Sequence, residues 1–263
     1  MATETTLAPG TFCWVELATT DAASARKFYT ELFGWKAQDV PVGDMGTYTM
    51  LQLGGKDAAA LYPMDAQRMG QGIPSHWMSY VLVENVDKSA EKAGQLGATV
   101  LQPPFDVMDV GRMAVLRDPT GAVFALWQKK KHPGAGVFQV PGSLCWNELM
   151  TEDEDRARKF YTGLFNWNAD AMPVGPILYT VFKNDDKPAG GMMTLPQEAR
   201  NMGAPPHWLP YFAVDDCDRI VNRVSELGGA VLMPPTDFEN VGRGAVVADP
   251  TRGVFGVIRL MGQ

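Results

Sequence analysis

Two carboxylates and two imidazoles recur at matched places in this chain: Glu16 and Glu148, His76 and His207. Each glutamate stands two residues after a tryptophan, Trp14 or Trp146, so in an extended strand the indole and its carboxylate leave the same face. That pairing suits a planar ligand, stacked on the ring and oriented by the carboxylate. A glutamate with a histidine also suits metal-free acid–base work such as hydration or isomerisation, Glu16 or Glu148 being the base. The same pair offers a divalent metal two acceptable ligands, where a catalytic centre normally wants three. His76 and His207 are two of only three histidines, and each follows proline at the entry of a strand, a place that equally suits an anchoring hydrogen bonder. An inward carboxylate is costly without a partner, so the glutamates call for a bound group or a structural ion pair.

The matching extends along the whole chain. Gly10-Thr-Phe-Cys-Trp-Val-Glu-Leu17 returns as Gly142-Ser-Leu-Cys-Trp-Asn-Glu-Leu149, and Arg26-Lys27-Phe28-Tyr29 as Arg158-Lys159-Phe160-Tyr161. Leu32-Phe33-Gly34-Trp35 returns as Leu164-Phe165-Asn166-Trp167. His76-Trp77, Gly111-Arg112 and Asp118-Pro119 then match His207-Trp208, Gly242-Arg243 and Asp249-Pro250, with the offset one residue shorter, as a single-residue loop deletion gives. Two domains are expected, over residues 10–130 and 141–262, joined by an exposed linker at 131–140.

Within a half, residues 11–18 alternate as a strand does, and Asp21 opens a helix with apolar residues at 25, 28, 29, 32 and 33, closed by Gly34. Strands follow near 35–41, 47–53 and 57–62. The pattern then restarts: a strand at 76–83, a helix at about 87–96, and strands near 98–102, 112–117 and 122–128. Each half reads as βαβββ twice, an α+β chain.

A net charge of −7 argues against a nucleic-acid partner, since phosphate binding needs clustered Lys and Arg, and Lys129-Lys130-Lys131 is too short a run to supply it. No stretch approaches the ~20 apolar residues of a membrane span, and the N-terminus lacks a signal-peptide pattern, so a cytoplasmic protein without membrane contact is expected. Three cysteines make no complete disulfide set and are expected reduced and buried. A monomer and a homodimer both remain open.

The aspartate-initiated helix with its FY pair and LFGW exit (Asp21 to Trp35, Asp153 to Trp167), the LGA turn after the second helix, and the DPTGxxF hairpin resemble the vicinal oxygen chelate superfamily of glyoxalases, bleomycin-resistance proteins and extradiol dioxygenases. The resemblance covers nearly the whole chain twice. It implies two tandem glyoxalase-like domains, each with two βαβββ modules forming a curved-sheet cup, helices on the convex side, and metal ligands at fixed points on first and last strands. By spacing from the helix-starting and DP aspartates, those points fall on Trp14, Tyr80 and Ala125, and on Trp146, Tyr211 and Gly256. None is a good divalent-metal ligand, so no metal and no cofactor is expected. By strand parity the cups are lined by Phe12, Trp14 and Glu16 with His76, Met78, Tyr80 and Leu82, and by Leu144, Trp146 and Glu148 with His207, Leu209, Tyr211 and Ala213; Val123, Ala125 and Trp127 face the same way. Packed interiors use the same tryptophans. The favoured expectation is a binding or sequestration protein for a small, aromatic or apolar molecule, held by Trp14, Glu16, His76, Tyr80, Trp127, Trp146, Glu148, His207 and Tyr211. The alternatives are a metal-dependent lyase or dioxygenase with a relocated Glu16/His76 and Glu148/His207 site, and a metal-free acid–base enzyme.

Overall fold

The computed structural model describes residues 7–42, 46–174 and 177–262. The first half runs β1 (Phe12–Thr19), α1 (Ala22–Phe33), β2 (Lys36–Pro41), β3 (Thr47–Leu53), β4 (Lys56–Pro63), α2 (Ala66–Gly70), β5 (His76–Leu82), α3 (Val86–Gln95), β6 (Thr99–Val107), β7 (Gly111–Arg117) and β8 (Val123–Lys129). The second repeats it: β9 (Leu144–Thr151), α4 (Glu154–Phe165), β10 (Asn168–Val174), β11 (Ile177–Asn184), β12 (Lys187–Thr194), α5 (Gln197–Asn201), β13 (His207–Ala213), α6 (Cys217–Glu226), β14 (Ala230–Phe238), β15 (Gly242–Ala248) and β16 (Val254–Leu260). Two eight-stranded sheets result, in the orders β2-β3-β4-β1-β5-β8-β7-β6 and β10-β11-β12-β9-β13-β16-β15-β14. The βαβββ pattern holds in all four modules, and the five-residue helices α2 and α5 are additions that their length made illegible.

Local chemistry explains the elements. The Asp21 side chain accepts from the Ser24 N–H at the start of α1, and Gly34 closes the helix in the left-handed region at φ 69°. The buried stripe of Ala25, Phe28, Tyr29 and Leu32 has the helical spacing read above. β6 continues past its expected end through Pro103 and Pro104, because it is the edge strand, where a missing N–H breaks no ladder bond.

Contacts divide the chain into two compact units, each drawing on both halves. One holds the residues up to 14, 79–134 and 146–209; the other holds 15–78, 135–145 and those from 210 onward. In the first unit Phe124, Phe160, Tyr161, Phe182 and Trp208 lie in one core. In the second, Phe28, Tyr29, Trp77, Phe212 and Phe255 do the same. Strand parity misplaced Phe12 and Leu144. Phe12 packs edge-on against Trp208 at 4.8 Å, inside the core of its unit, and Leu144 joins the core of the other. Period-two alternation fails at these strand starts, where apolar burial decides which way the side chain turns.

The repeat also leaves one hydroxyl stranded. Thr49 donates to Asp39 at 2.8 Å, a bond that holds the Asp39 carboxyl below its usual range, whereas its counterpart Thr180 faces Ala171 across the ladder, and its buried Oγ1 has no partner. Thr180→Val is expected to be neutral or to stabilise by up to ~1 kcal/mol, and Thr49→Val to destabilise by about the same amount, since only the latter removes a hydroxyl that is hydrogen-bonded in the fold. Urea midpoints of the two variants check this. A clear loss for Thr180→Val would show that its hydroxyl is bonded after all.

Candidate functional site

The second half places four of the expected residues in one unit: Trp146 and Glu148 on β9, His207 and Leu209 on the adjacent β13. The residue that joins Trp146 to Glu148 is one that sequence reading passed over, Tyr179 on β11. The Trp146 Nε1–H donates to the Tyr179 hydroxyl at 2.8 Å, and Tyr179 in turn hydrogen bonds the Glu148 carboxylate. Burial, then the Glu148 charge, push the Tyr179 phenol far above its usual range, so it stays a neutral donor. The carboxylate is thus partnered at 7% exposure. Trp146 is half-buried and has its N–H engaged, which leaves an accessible ring for stacking.

Glycine permits this arrangement. Gly191 stands opposite Glu148 in the β9–β12 ladder, and a Cβ there would come 1.9 Å from the Tyr179 hydroxyl and 2.8 Å from Trp146 Nε1. Gly256 does the same for Tyr211, whose ring would lie 2.2 Å from a Cβ at that position, in the unit that holds both. The first half has Ala60 opposite Glu16 and Ala125 opposite Tyr80 at the corresponding points.

First-half residues fall in different units and are taken separately. In one, Glu16 accepts from the Tyr48 hydroxyl at 2.6 Å, and Tyr48 stacks on Tyr62 with centroids 6.2 Å apart. The Arg68 guanidinium lies 5.9 Å over the Tyr62 ring and is paired with Asp65 at 2.6 Å. Burial and the Glu16 charge push Tyr62 up to about 12. In the other unit, the Tyr80 and Trp127 rings meet at 6.3 Å, and the rings of Trp14 and His132, the third histidine, meet at right angles with centroids 4.7 Å apart.

Both expected histidines are anchored. His76 Nδ1 donates to the Pro74 carbonyl at 2.9 Å and His207 Nδ1 to the Pro205 carbonyl at 2.8 Å, with burial holding both imidazoles below their usual pKa and therefore neutral near pH 7. With Nδ1 donating, Nε2 is left as the acceptor nitrogen in each. Arg112 and Arg243 are pinned to Asp87 and Asp218 on helices α3 and α6 rather than to any site. The cysteines are free and buried, and burial pushes the Cys145 and Cys217 thiols up to about 12 and about 11.

Comparisons with known proteins agree on the ancestry. The model of the Glyoxalase/Bleomycin resistance protein/Dioxygenase superfamily matches residues 11–126 and 144–255. The chain is 41% identical over 252 residues to "Putative glyoxylase CFP32" of Mycobacterium tuberculosis, covering 95% of each, and 36% identical over 267 residues to "Anthracycline biosynthesis protein DnrV" of Streptomyces peucetius, covering 97% and 95%. Among solved structures it resembles the Mn(II)-bound glyoxalase of Novosphingobium aromaticivorans, with TM-score 0.65 at 15% identity, covering 95% of this chain and 82% of that one. It also resembles the 2,3-dioxygenase LapB of Pseudomonas sp. KL28, with TM-score 0.64 at 13% identity, covering 97% and 93%.

A bound divalent metal in such a neighbour poses a test of fit. The residues here fit one poorly: the spacing-derived points hold two indoles, two phenols, a methyl and a glycine. Glu16 and Glu148 accept from tyrosines, and among the described residues no three His, Cys, Asp or Glu converge.

Proposed function

Because the chain belongs to the Glyoxalase/Bleomycin resistance protein/Dioxygenase superfamily, we propose that it is a member that binds or sequesters a small, planar aromatic or apolar molecule in metal-free cups. The observation that carries this reading is the Trp146–Tyr179–Glu148 chain: an accessible indole held in place by its own N–H, beside a buried carboxylate already oriented by a phenol. Of the first-half residues, Trp14, Tyr80 and Trp127 would supply rings in the one unit and, taken separately, Glu16 and His76 polar contacts in the other. His207 completes the set around Trp146, and Tyr211 would supply a ring in the other unit. The name of the Streptomyces relative adds weight, since an anthracycline is a planar polycyclic aromatic.

Metal-free acid–base catalysis is the second reading, favoured by the fixed tautomers. With Nδ1 given to a backbone carbonyl, each neutral imidazole keeps Nε2 as a base, and Glu148 sits on the strand beside His207.

Titration of tryptophan fluorescence with a panel of aromatic compounds tests the proposal, beside elemental analysis of the purified protein. Trp146→Ala should weaken a bound compound at least about fivefold, the ~1 kcal/mol of a lost stacking ring. Glu148→Gln should keep the shape and weaken compounds that present a hydrogen-bond donor by a similar factor. An affinity unchanged in both variants, or one tightly held zinc, iron, nickel or manganese per half, would overturn the reading.

A further inference from the structure

The linker segment around His132 lies on Trp14 and Trp127, and all three belong to one unit. The His132 ring meets Trp14 edge-on at 4.7 Å and Trp127 at 5.9 Å, and its backbone carbonyl accepts the Trp127 Nε1–H at 3.0 Å. Both the Lys130 and His132 N–H groups donate to the Val110 carbonyl, at 3.1 and 3.0 Å. Two glycines let the parts close up. Gly134, at φ 107°, brings the chain so near β1 that a Cβ would lie 2.4 Å from the Cys13 carbonyl, and Trp127 is pressed onto Gly111, where a Cβ would meet the ring at 2.1 Å. Trp14 is left 4% exposed.

We propose that His132 is a built-in occupant of the first half's aromatic site, so that one chain holds one aromatic ligand, and holds it in the second half at Trp146. The inference rests on the binding reading above and adds its stoichiometry. A perpendicular imidazole–indole contact is one a small heteroaromatic ligand would make. Being tethered, it binds without the translational cost a free molecule meets, and a free ligand must displace it. Among the described residues the second half shows no such hook: Ile258, paired with Ala213 as Trp127 is with Leu82, carries no indole N–H, and Trp146 keeps an accessible ring.

The probe is anilinonaphthalene sulfonate, titrated to saturation against the intact chain, with acrylamide quenching of tryptophan in a Trp146→Phe background as a ligand-independent measure. One bound probe per chain is expected, lost in Trp146→Ala, rising to two in His132→Ala and returning to one in His132→Phe, whose ring refills the site. Acrylamide quenching in the Trp146→Phe background should rise severalfold on adding His132→Ala. Two probes bound by the parent, or unchanged quenching on removal of the imidazole, would overturn the proposal. No probe bound to any variant, with quenching still raised, would uphold the internal occupant and sink the binding reading at Trp146 instead.

Discussion

Asp118→Ala and Asp249→Ala are expected to be the most damaging single substitutions in the chain, each lowering stability by about 3–5 kcal/mol. Asp118 Oδ1 accepts from the N–H groups of Thr120, Gly121 and Ala122 and from the Thr120 hydroxyl, while Oδ2 accepts from the Tyr161 hydroxyl at 2.8 Å. Asp249 does the same with Thr251, Gly253 and Tyr29. Each phenol also accepts an indole N–H, from Trp208 or Trp77. Removing the carboxylate strands several buried donors at once, at roughly 1–3 kcal/mol apiece before relaxation. Asn at either position keeps an acceptor for the turn and should cost less than Ala. Urea denaturation of the four variants measures it, and losses below about 1 kcal/mol would mean that water replaces the carboxylate.

The same networks set an alkaline limit. Burial first, then the aspartate charge, raises Tyr29 and Tyr161 well above the ordinary value near 10. Unfolded tyrosines release their protons near pH 10 while the folded ones keep theirs, so this stabilisation is complete below that pH and is lost as pH climbs beyond it. Tyr29→Phe and Tyr161→Phe should each flatten that fall.

Gly191→Ala carries the second large effect. The added methyl would sit 1.9 Å from the Tyr179 hydroxyl, and that atom ends a rigid ring on a strand. The phenol must leave, breaking its bond from Trp146 and its contact with Glu148, and the indole loses its anchor. Overpacking of this kind costs about 1–3 kcal/mol, and the carboxylate left behind adds to it. Thermal denaturation should show the loss, and tryptophan emission should shift to the red as Trp146 frees its N–H. Ala60→Gly, the reverse change at the matching first-half position, should cost ~1 kcal/mol by strand flexibility alone and leave the emission unchanged. Unaltered emission in Gly191→Ala would show that the Tyr179 ring does not depend on the glycine.

Much of this was legible in order. The Asp21 cap, the 25–28–29–32 stripe and the duplication fixed the helices, the tandem halves and the family, and strand alternation supplied only the expectation that Trp14 and Glu16 share a face. The residues that complete the site were not legible for two reasons. Tyr48 and Tyr179 reach the glutamates from β3 and β11, and which residues of such strands meet depends on ladder register, which here shifts at bulges beside Leu51 and Phe182. The one available signal was that both tyrosines are kept, followed by threonine, at matching places in the repeat. His132 escaped because a Lys-Pro-Gly-rich segment reads as solvated linker, whereas its hydrogen bonds to Val110 and from Trp127 hold it beside β7 and β8.

The composition of the compact units bears on how the chain must be born. Tyr161 meets Asp118 across 43 positions, but Tyr29 meets Asp249 across 220. The unit that contains Glu16 and His76 therefore cannot close until the last strands have left the ribosome, although its first segment emerges near the start. During synthesis the apolar face of α1, with Phe28 and Tyr29, waits longest for its partners, and it is the surface a chaperone would have to shield.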